Sequence, residues 1–164
     1  GHFHDDLSSD IQALLSLKEL ATTLQQLSVG SLKVIPDHSI LSWLPENIQK
    51  GFSGFHQDGP SDDIKHGNPH VWIPITESRK TNFSIIPHSH NQGNLPHGML
   101  GQFVKVQKEF VAPLIHTETY LNVEVGDALI FSTRALHCLC LNKSNQICWS
   151  LEFICGVYLF SNIN

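Results

Sequence analysis

A succession of eight short β-rich runs after a single helical stretch restricts the fold of this sequence more than any other feature. The runs cover residues 32–35, 70–75, 83–86, 102–106, 120–125, 128–132, 136–141 and 149–159, separated by clusters of Gly, Pro and Asn. In Tyr120-Leu121-Asn122-Val123-Glu124-Val125 apolar and polar residues alternate, the pattern of an antiparallel strand with one face in a core and one in water. Ahead of the runs, Ile11, Leu14, Leu15, Leu20, Leu24 and Leu27 recur at helical spacing. Ser9 stands as the N-cap, Asp10 in the first turn and Gly30 just past the end, so the spacing predicts an amphipathic helix over 9–28. One helix and many short strands predict a mainly β fold, a double-stranded β-helix or jelly roll of the cupin type, with the helix packed on the outside. The 164 residues suffice for one core, so we expect a single domain with a helix over 9–30 and a β core over 31–160.

Charge and composition narrow the function. Charged residues make up 15% of the chain and the formal net charge is −5, which leaves no basic field for nucleic acid. The apolar runs are too short to span a bilayer and no charged-then-apolar leader opens the chain. The four cysteines (Cys138, Cys140, Cys148, Cys155) crowd near the end and tie no distant segments together, which fits a reducing, cytoplasmic compartment. Gly1 is not a natural initiator and Met99 is the only methionine. We therefore expect an N-terminally incomplete fragment whose residues 1–8 are a tag remnant or a disordered start.

The residues that carry chemistry begin at Phe55-His56-Gln57-Asp58-Gly59. On a strand, His56 and Asp58 leave the same face and reach one ion together. His137, just after the 128–132 run, supplies a second imidazole. Two imidazoles and one carboxylate on one side of a metal leave the other side open, the arrangement by which Fe(II) oxygenases bind a cosubstrate and then O2. A His-x-Asp pair is unspecific by itself, since two common polar residues meet at that spacing by chance on surface loops.

The order of the surrounding motifs is more specific. Phe55-His56-Gln57-Asp58-Gly59, Val71-Trp72-Ile73-Pro74-Ile75, Ile86-Pro87-His88-Ser89-His90, Gly126-Asp127 and His137 with Asn142 and Ser144 follow one another. Over about residues 32–153 this order resembles the phytanoyl-CoA dioxygenase family. The resemblance implies a jelly-roll Fe(II)- and 2-oxoglutarate-dependent dioxygenase, with His56, Asp58 and His137 as iron ligands, that hydroxylates a small-molecule substrate with O2. A carboxylate at Asp58 implies hydroxylation rather than halogenation, because related halogenating enzymes free that position for chloride.

The match departs from the family at one place. Members carry an Arg-x-Ser after the Asn-x-Ser, the arginine pairing with the far carboxylate of 2-oxoglutarate; here Cys148 stands at the arginine and Ser150 at the serine. A thiol cannot form that ion pair. Its loss removes about 1.5–3 kcal/mol, or about 10- to 100-fold in affinity. We expect Cys148 to point into the barrel beside Ser150, with His70, Lys105 or Arg134 as the substitute cation if one exists. His90, in the family's Pro-Gly-Ser-His loop, is a site-side candidate, and His88 replaces that loop's glycine. The polar segments 58–68 and 88–97 are expected as mobile loops over the site. His2, His4, His38, His66, His97 and His116 read as loop or tag histidines, and the cysteines as ordinary core or surface residues. Two alternatives stand beside the oxygenase: a catalytically impaired jelly roll serving as a binding or regulatory module, and a cupin-type metalloprotein that does not use 2-oxoglutarate.

Overall fold

A computed structural model describes residues 12–27, 31–43, 45, 54–58, 67–77, 83–100 and 103–158. Chain order gives β1 (Ser31–Trp43), β2 (Pro69–Pro74), β3 (Phe83–Ile85), β4 (His97–Leu100), β5 (Phe103–Val106), β6 (Thr119–Leu121), β7 (Leu129–Ser132), β8 (His137–Leu139) and β9 (Cys148–Tyr158), preceded by helix α1 (Lys18–Leu27). A four-stranded sheet runs β1-β9-β2-β7, a three-stranded sheet β6-β3-β8, and β4 and β5 form a two-stranded ribbon. Among the described residues every pairing between these strands is antiparallel. The architecture is mainly β with few helices, as expected of a jelly roll.

Alternation along β2 and β9 sorts their side chains into two layers. Val71, Leu151, Phe153 and Cys155 turn outward and are sealed by Leu24 of α1, which is 1% exposed, with Leu14, Leu15, Leu20, Ile73 and Ile130 around them. The helix thus lies on the outer face of the larger sheet. Trp72 and Phe131 turn inward and meet Phe83, Val123 and Ala135, with Ile85, Leu121, Leu129 and Leu139 completing the layer between the two sheets. A third cluster, Ile86, Val106 and Leu136 with Phe55, Leu95, Val111 and Leu114, sits under the β4–β5 ribbon.

Some expectations need correction. The helix breaks at Ser16-Leu17, where the Ser16 N–H and hydroxyl both donate to the Gln12 carbonyl, and its proposed cap at Ser9 and stop at Gly30 lie outside the described residues. β1 continues well past residue 35, because the ladder with β9 absorbs Pro36 in an irregularity between Val34 and His38 and then resumes. The 120–125 run forms a strand only to Leu121; Val123 is buried in an irregular segment and Val125 is exposed in the turn that follows, so its alternation did not report a continuous strand. His97–Leu100, read as the end of a loop and beyond, pairs as β4 with β5.

Candidate metal centre

The His-x-Asp segment is held by three neighbours that differ in sequence distance. His56 forms an isolated antiparallel bridge with His137, each N–H donating to the other's carbonyl at 3.1 and 3.2 Å. The Asp58 N–H donates to the Thr133 carbonyl (2.8 Å) in the turn between β7 and β8. On the other side, the Val106 N–H donates to the Phe55 carbonyl (2.8 Å), tying the segment to β5. Gln57 leaves the opposite face from His56 and Asp58, and its buried amide donates to the carbonyls of Gly93 (2.9 Å) and Arg134 (2.6 Å) while accepting from the Leu95 N–H (2.9 Å). All three of these bonds fix the backbone that carries the two site residues.

The same turn closes on Gly67, whose backbone φ is +78° and where a Cβ would stand 2.6 Å from Ser132 Oγ and 2.8 Å from Thr133 Oγ1. Only glycine fits that approach. Beside it, Asn68 and Thr133 exchange bonds, the Thr133 N–H to the Asn68 carbonyl (2.9 Å) and the Asn68 N–H to Thr133 Oγ1 (3.0 Å).

These anchors bring His56, Asp58 and His137 together, with one ligand atom from each within 4.8 Å of the others. Asp58 Oδ1 lies 3.7 Å from His56 Nε2, and Oδ2 lies 3.3 Å from His137 Nε2. Nδ1 of His137 is 2.9 Å from the Ala135 carbonyl and Nδ1 of His56 is 3.1 Å from the Gly54 carbonyl. A carbonyl only accepts, so in both rings Nδ1 bears a proton, and Nε2 is the atom turned toward the carboxylate. Burial pushes the His137 imidazole down to about 4, which keeps it neutral at neutral pH. Burial works against ionisation of Asp58, but the imidazole of His137, the hydrogen bond and charge of His70 and the imidazole of His56 hold its carboxyl well below the usual range. Three electron-pair donors therefore converge on one point, and a cation is the species that satisfies all three.

Aromatic rings wall this centre. His137 stacks on Phe83 with ring centroids 5.6 Å apart and planes 3° from parallel, and meets Phe131 at 4.6 Å. The N–H of Leu136, one residue before His137, donates to Ser89 Oγ (2.8 Å), and that hydroxyl donates to the Ile86 carbonyl (2.6 Å). The 88–97 segment was expected as a mobile lid, but Ser89, Gly93 and Leu95 bind it to the backbone of the site, so it acts as a buttress. His90 lies half-buried in the short 3-10 turn Ser89–Gln92, its ring 6.5 Å from that of His88, and His88 takes a left-handed backbone with φ 62°. Most of the 58–68 loop lies outside the described residues.

The remaining candidates divide by position on the larger sheet. Cys148 (4% exposed) and Ser150 (2%) alternate with the exposed Trp149, so both turn to the inner face, the face of Glu152, His70 and Trp72. Ser150 Oγ and Trp72 Nε1 are buried there without a hydrogen-bond partner, and the register makes them diagonal neighbours across β2 and β9. His70 is opposite Ile154, six residues or about 20 Å along β9 from Cys148. Its Nδ1 is 2.5 Å from Asp58 Oδ2 and its Nε2 is 3.5 Å from Glu152 Oε2. Lys105 is on β5 beside Gly54, and Arg134 is in the β7–β8 turn. Sequence reasoning missed Gln57 and Glu152. Gln57 was signalled by its place between two same-face residues, whereas Glu152 became visible only with the β2–β9 register.

No family model and no curated protein matches the chain. Solved structures do match its fold. EctD from S. alaskensis, with 2-oxoglutarate and 5-hydroxyectoine, aligns over 95% of this chain and 55% of that one, at TM-score 0.68 and 14% identity. SnoN, a non-haem α-ketoglutarate-dependent epimerase of nogalamycin biosynthesis, aligns over 93% and 58% at TM-score 0.64 and 14% identity. EvdO2 from Micromonospora carbonacea var. aurantiaca, complexed with 2-oxoglutarate, aligns over 94% and 66% at TM-score 0.60 and 15% identity. The chain thus shares the fold of these structures and spans less than two thirds of the length of each.

Proposed function

We propose that this chain is the core of an Fe(II)- and 2-oxoglutarate-dependent oxygenase acting on a small molecule, with His56, Asp58 and His137 as metal ligands. The observation that carries the reading is the convergence of two imidazole Nε2 atoms on an anionic carboxylate, with both Nδ1 atoms already facing backbone carbonyls. Two nitrogens and one oxygen suit iron and leave coordination positions for other molecules. Bound there with 2-oxoglutarate and O2, iron would supply the oxidising power to functionalise an unactivated C–H bond. The protein's part is to hold the two Nε2 atoms unprotonated, keep Asp58 anionic and exclude water with Phe83 and Phe131.

The inner face fits an acidic cosubstrate in part. Trp72 Nε1 and Ser150 Oγ are unpartnered buried donors suited to a carboxylate oxygen. Cys148 contributes no charge beside them. On this reading 2-oxoglutarate binds through its keto acid end and through neutral donors, and its affinity is low. The likeness to phytanoyl-CoA dioxygenases rests on the ordered motifs, and a cytoplasmic location on the cysteine distribution. No helix among the described residues is long and apolar enough to cross a membrane.

Cys148 also favours a second reading, a metal-binding module that does not turn over 2-oxoglutarate. Anaerobically iron-loaded protein separates the two. Succinate released from 2-oxoglutarate only after O2 is admitted, and absent in Asp58→Ala, supports the oxygenase. Stoichiometric iron with no succinate at millimolar 2-oxoglutarate supports the binding module.

A further inference from the structure

A histidine has no place on the inner face of a central strand unless something there holds it. His70 is 3% exposed, next to the fully buried Val71, and its strand is flanked on both sides by β7 and β9. Its ring stacks on Phe131, its cross-strand partner, with centroids 4.7 Å apart and planes at 28°. That packing fixes the ring plane and so the directions of both nitrogens. Nδ1 reaches Asp58 Oδ2 at 2.5 Å, and Nε2 faces Glu152 Oε2 at 3.5 Å across the β2–β9 ladder. Glu152 is two residues from Ile154, the direct partner of His70, and therefore its diagonal neighbour on the same face.

We infer that His70 is a positioning residue for the metal's carboxylate ligand, and that Glu152 in turn orients His70. The inference rests on the metal reading above and names the residues that make the centre rigid. A carboxylate on a short side chain rotates about its last bond unless its second oxygen is held. By bonding Oδ2, His70 sets the plane of the carboxylate and occupies one of its lone pairs, so that Asp58 offers the ion one oxygen instead of a chelating pair. The bond also assembles the centre before the ion arrives. Residues 58 and 70, twelve apart in sequence, are linked directly.

Cobalt(II) tests this by calorimetry and by its visible absorption, which responds to coordination number and symmetry. The comparison uses the full chain and His70→Leu, His70→Asn and Glu152→Gln. Asparagine places an amide donor close to the Nδ1 position, and leucine places none. His70→Leu should bind cobalt about 10- to 100-fold more weakly with a changed spectrum, while His70→Asn and Glu152→Gln stay within about threefold of the unmodified chain. Should His70→Leu fail to fold, His70→Gln, whose amide mimics Nε2 instead, provides the contrast with His70→Asn. Unchanged cobalt affinity and spectrum in His70→Leu, or equal weakening in His70→Asn and the donor-less variant, overturns the positioning role while leaving the metal site intact. Failure of the unmodified chain to bind cobalt overturns the metal reading and this inference together.

Discussion

The two faces of the larger sheet are equally buried and chemically opposite. Val71 (0% exposed) and Phe153 (1%) pack under α1 among leucines, while on the same strands His70 (3%) and Ser150 (2%) turn inward to an acid and to unpartnered polar atoms. An apolar side chain on the inner face would give more stability, since a buried polar group costs free energy unless fully paired. Apolar layers on both faces hold the fold together, and the polar groups set among the inner face's aromatic rings are the ones a ligand explains. Substitutions on the two faces should separate stability from binding.

The largest separation is expected at the extremes. Asp58→Ala should weaken Fe(II) or Co(II) binding by at least about 100-fold, read by calorimetry, while its far-ultraviolet circular dichroism remains that of the folded chain. Phe153→Ala should do the reverse, costing about 3–5 kcal/mol in urea unfolding with metal affinity unchanged. If Phe153→Ala weakened metal binding while folded, the two faces would not be independent.

Next in size is the dependence of stability on pH between about 4 and 9, to which His137 and His70 contribute with opposite signs. Burial pushes His137 down to about 4. Its unfolded form takes up protons first, so its contribution is complete above about pH 6.5 and is lost as pH falls toward 4. For His70, burial would lower the value, but the bond to Asp58 and the nearby Glu152 carboxylate hold it up at about 9. Its contribution is complete below about pH 6.5 and is lost as pH rises through 9. The melting temperature of the metal-free protein should thus peak near pH 6.5, and His70→Leu should flatten the alkaline side. A melting temperature that still rises between pH 7 and 9 contradicts the assignment of His70.

A smaller gain is expected from Cys148→Arg. An arginine beside Ser150 supplies the missing cation on the inner face, and 2-oxoglutarate should tighten by about one to two decades. If the unmodified protein already binds 2-oxoglutarate at micromolar strength and the variant adds nothing, another group holds the outer carboxylate. The smallest effect belongs to Trp149→Ala, 42% exposed between two inward residues, which should shift stability by less than about 1 kcal/mol and leave metal affinity unchanged.

What the sequence made legible follows from the range of the physics involved. The placement of His56 and Asp58 on one face is a local property of extended backbone, and the motif order brought in His137. The helix and most strands were readable because apolar spacing is also local. Glu152 and His70 were not paired in the sequence reading, because their meeting depends on the β2–β9 register, which no nearby residues encode. His97–Leu100 escaped notice because His, Gly and Met carry little strand preference and the pairing with β5 supplies the order. Pro36 concealed the full length of β1 for the converse reason, since a long ladder tolerates one irregularity. The 88–97 segment has the composition of a mobile loop, and only its long-range bonds to Gln57 and Leu136 show it to be a support.

The central claim is that one ion is held by two imidazoles and a carboxylate, and not by the thiols that crowd the end of the chain. X-ray absorption of the iron(II)-loaded protein measures this directly. The account predicts one iron per chain with two imidazole ligands, the rest of the shell oxygen, and no sulfur. A sulfur shell near 2.3 Å, the usual metal–thiolate distance, or fewer than two imidazoles, contradicts it.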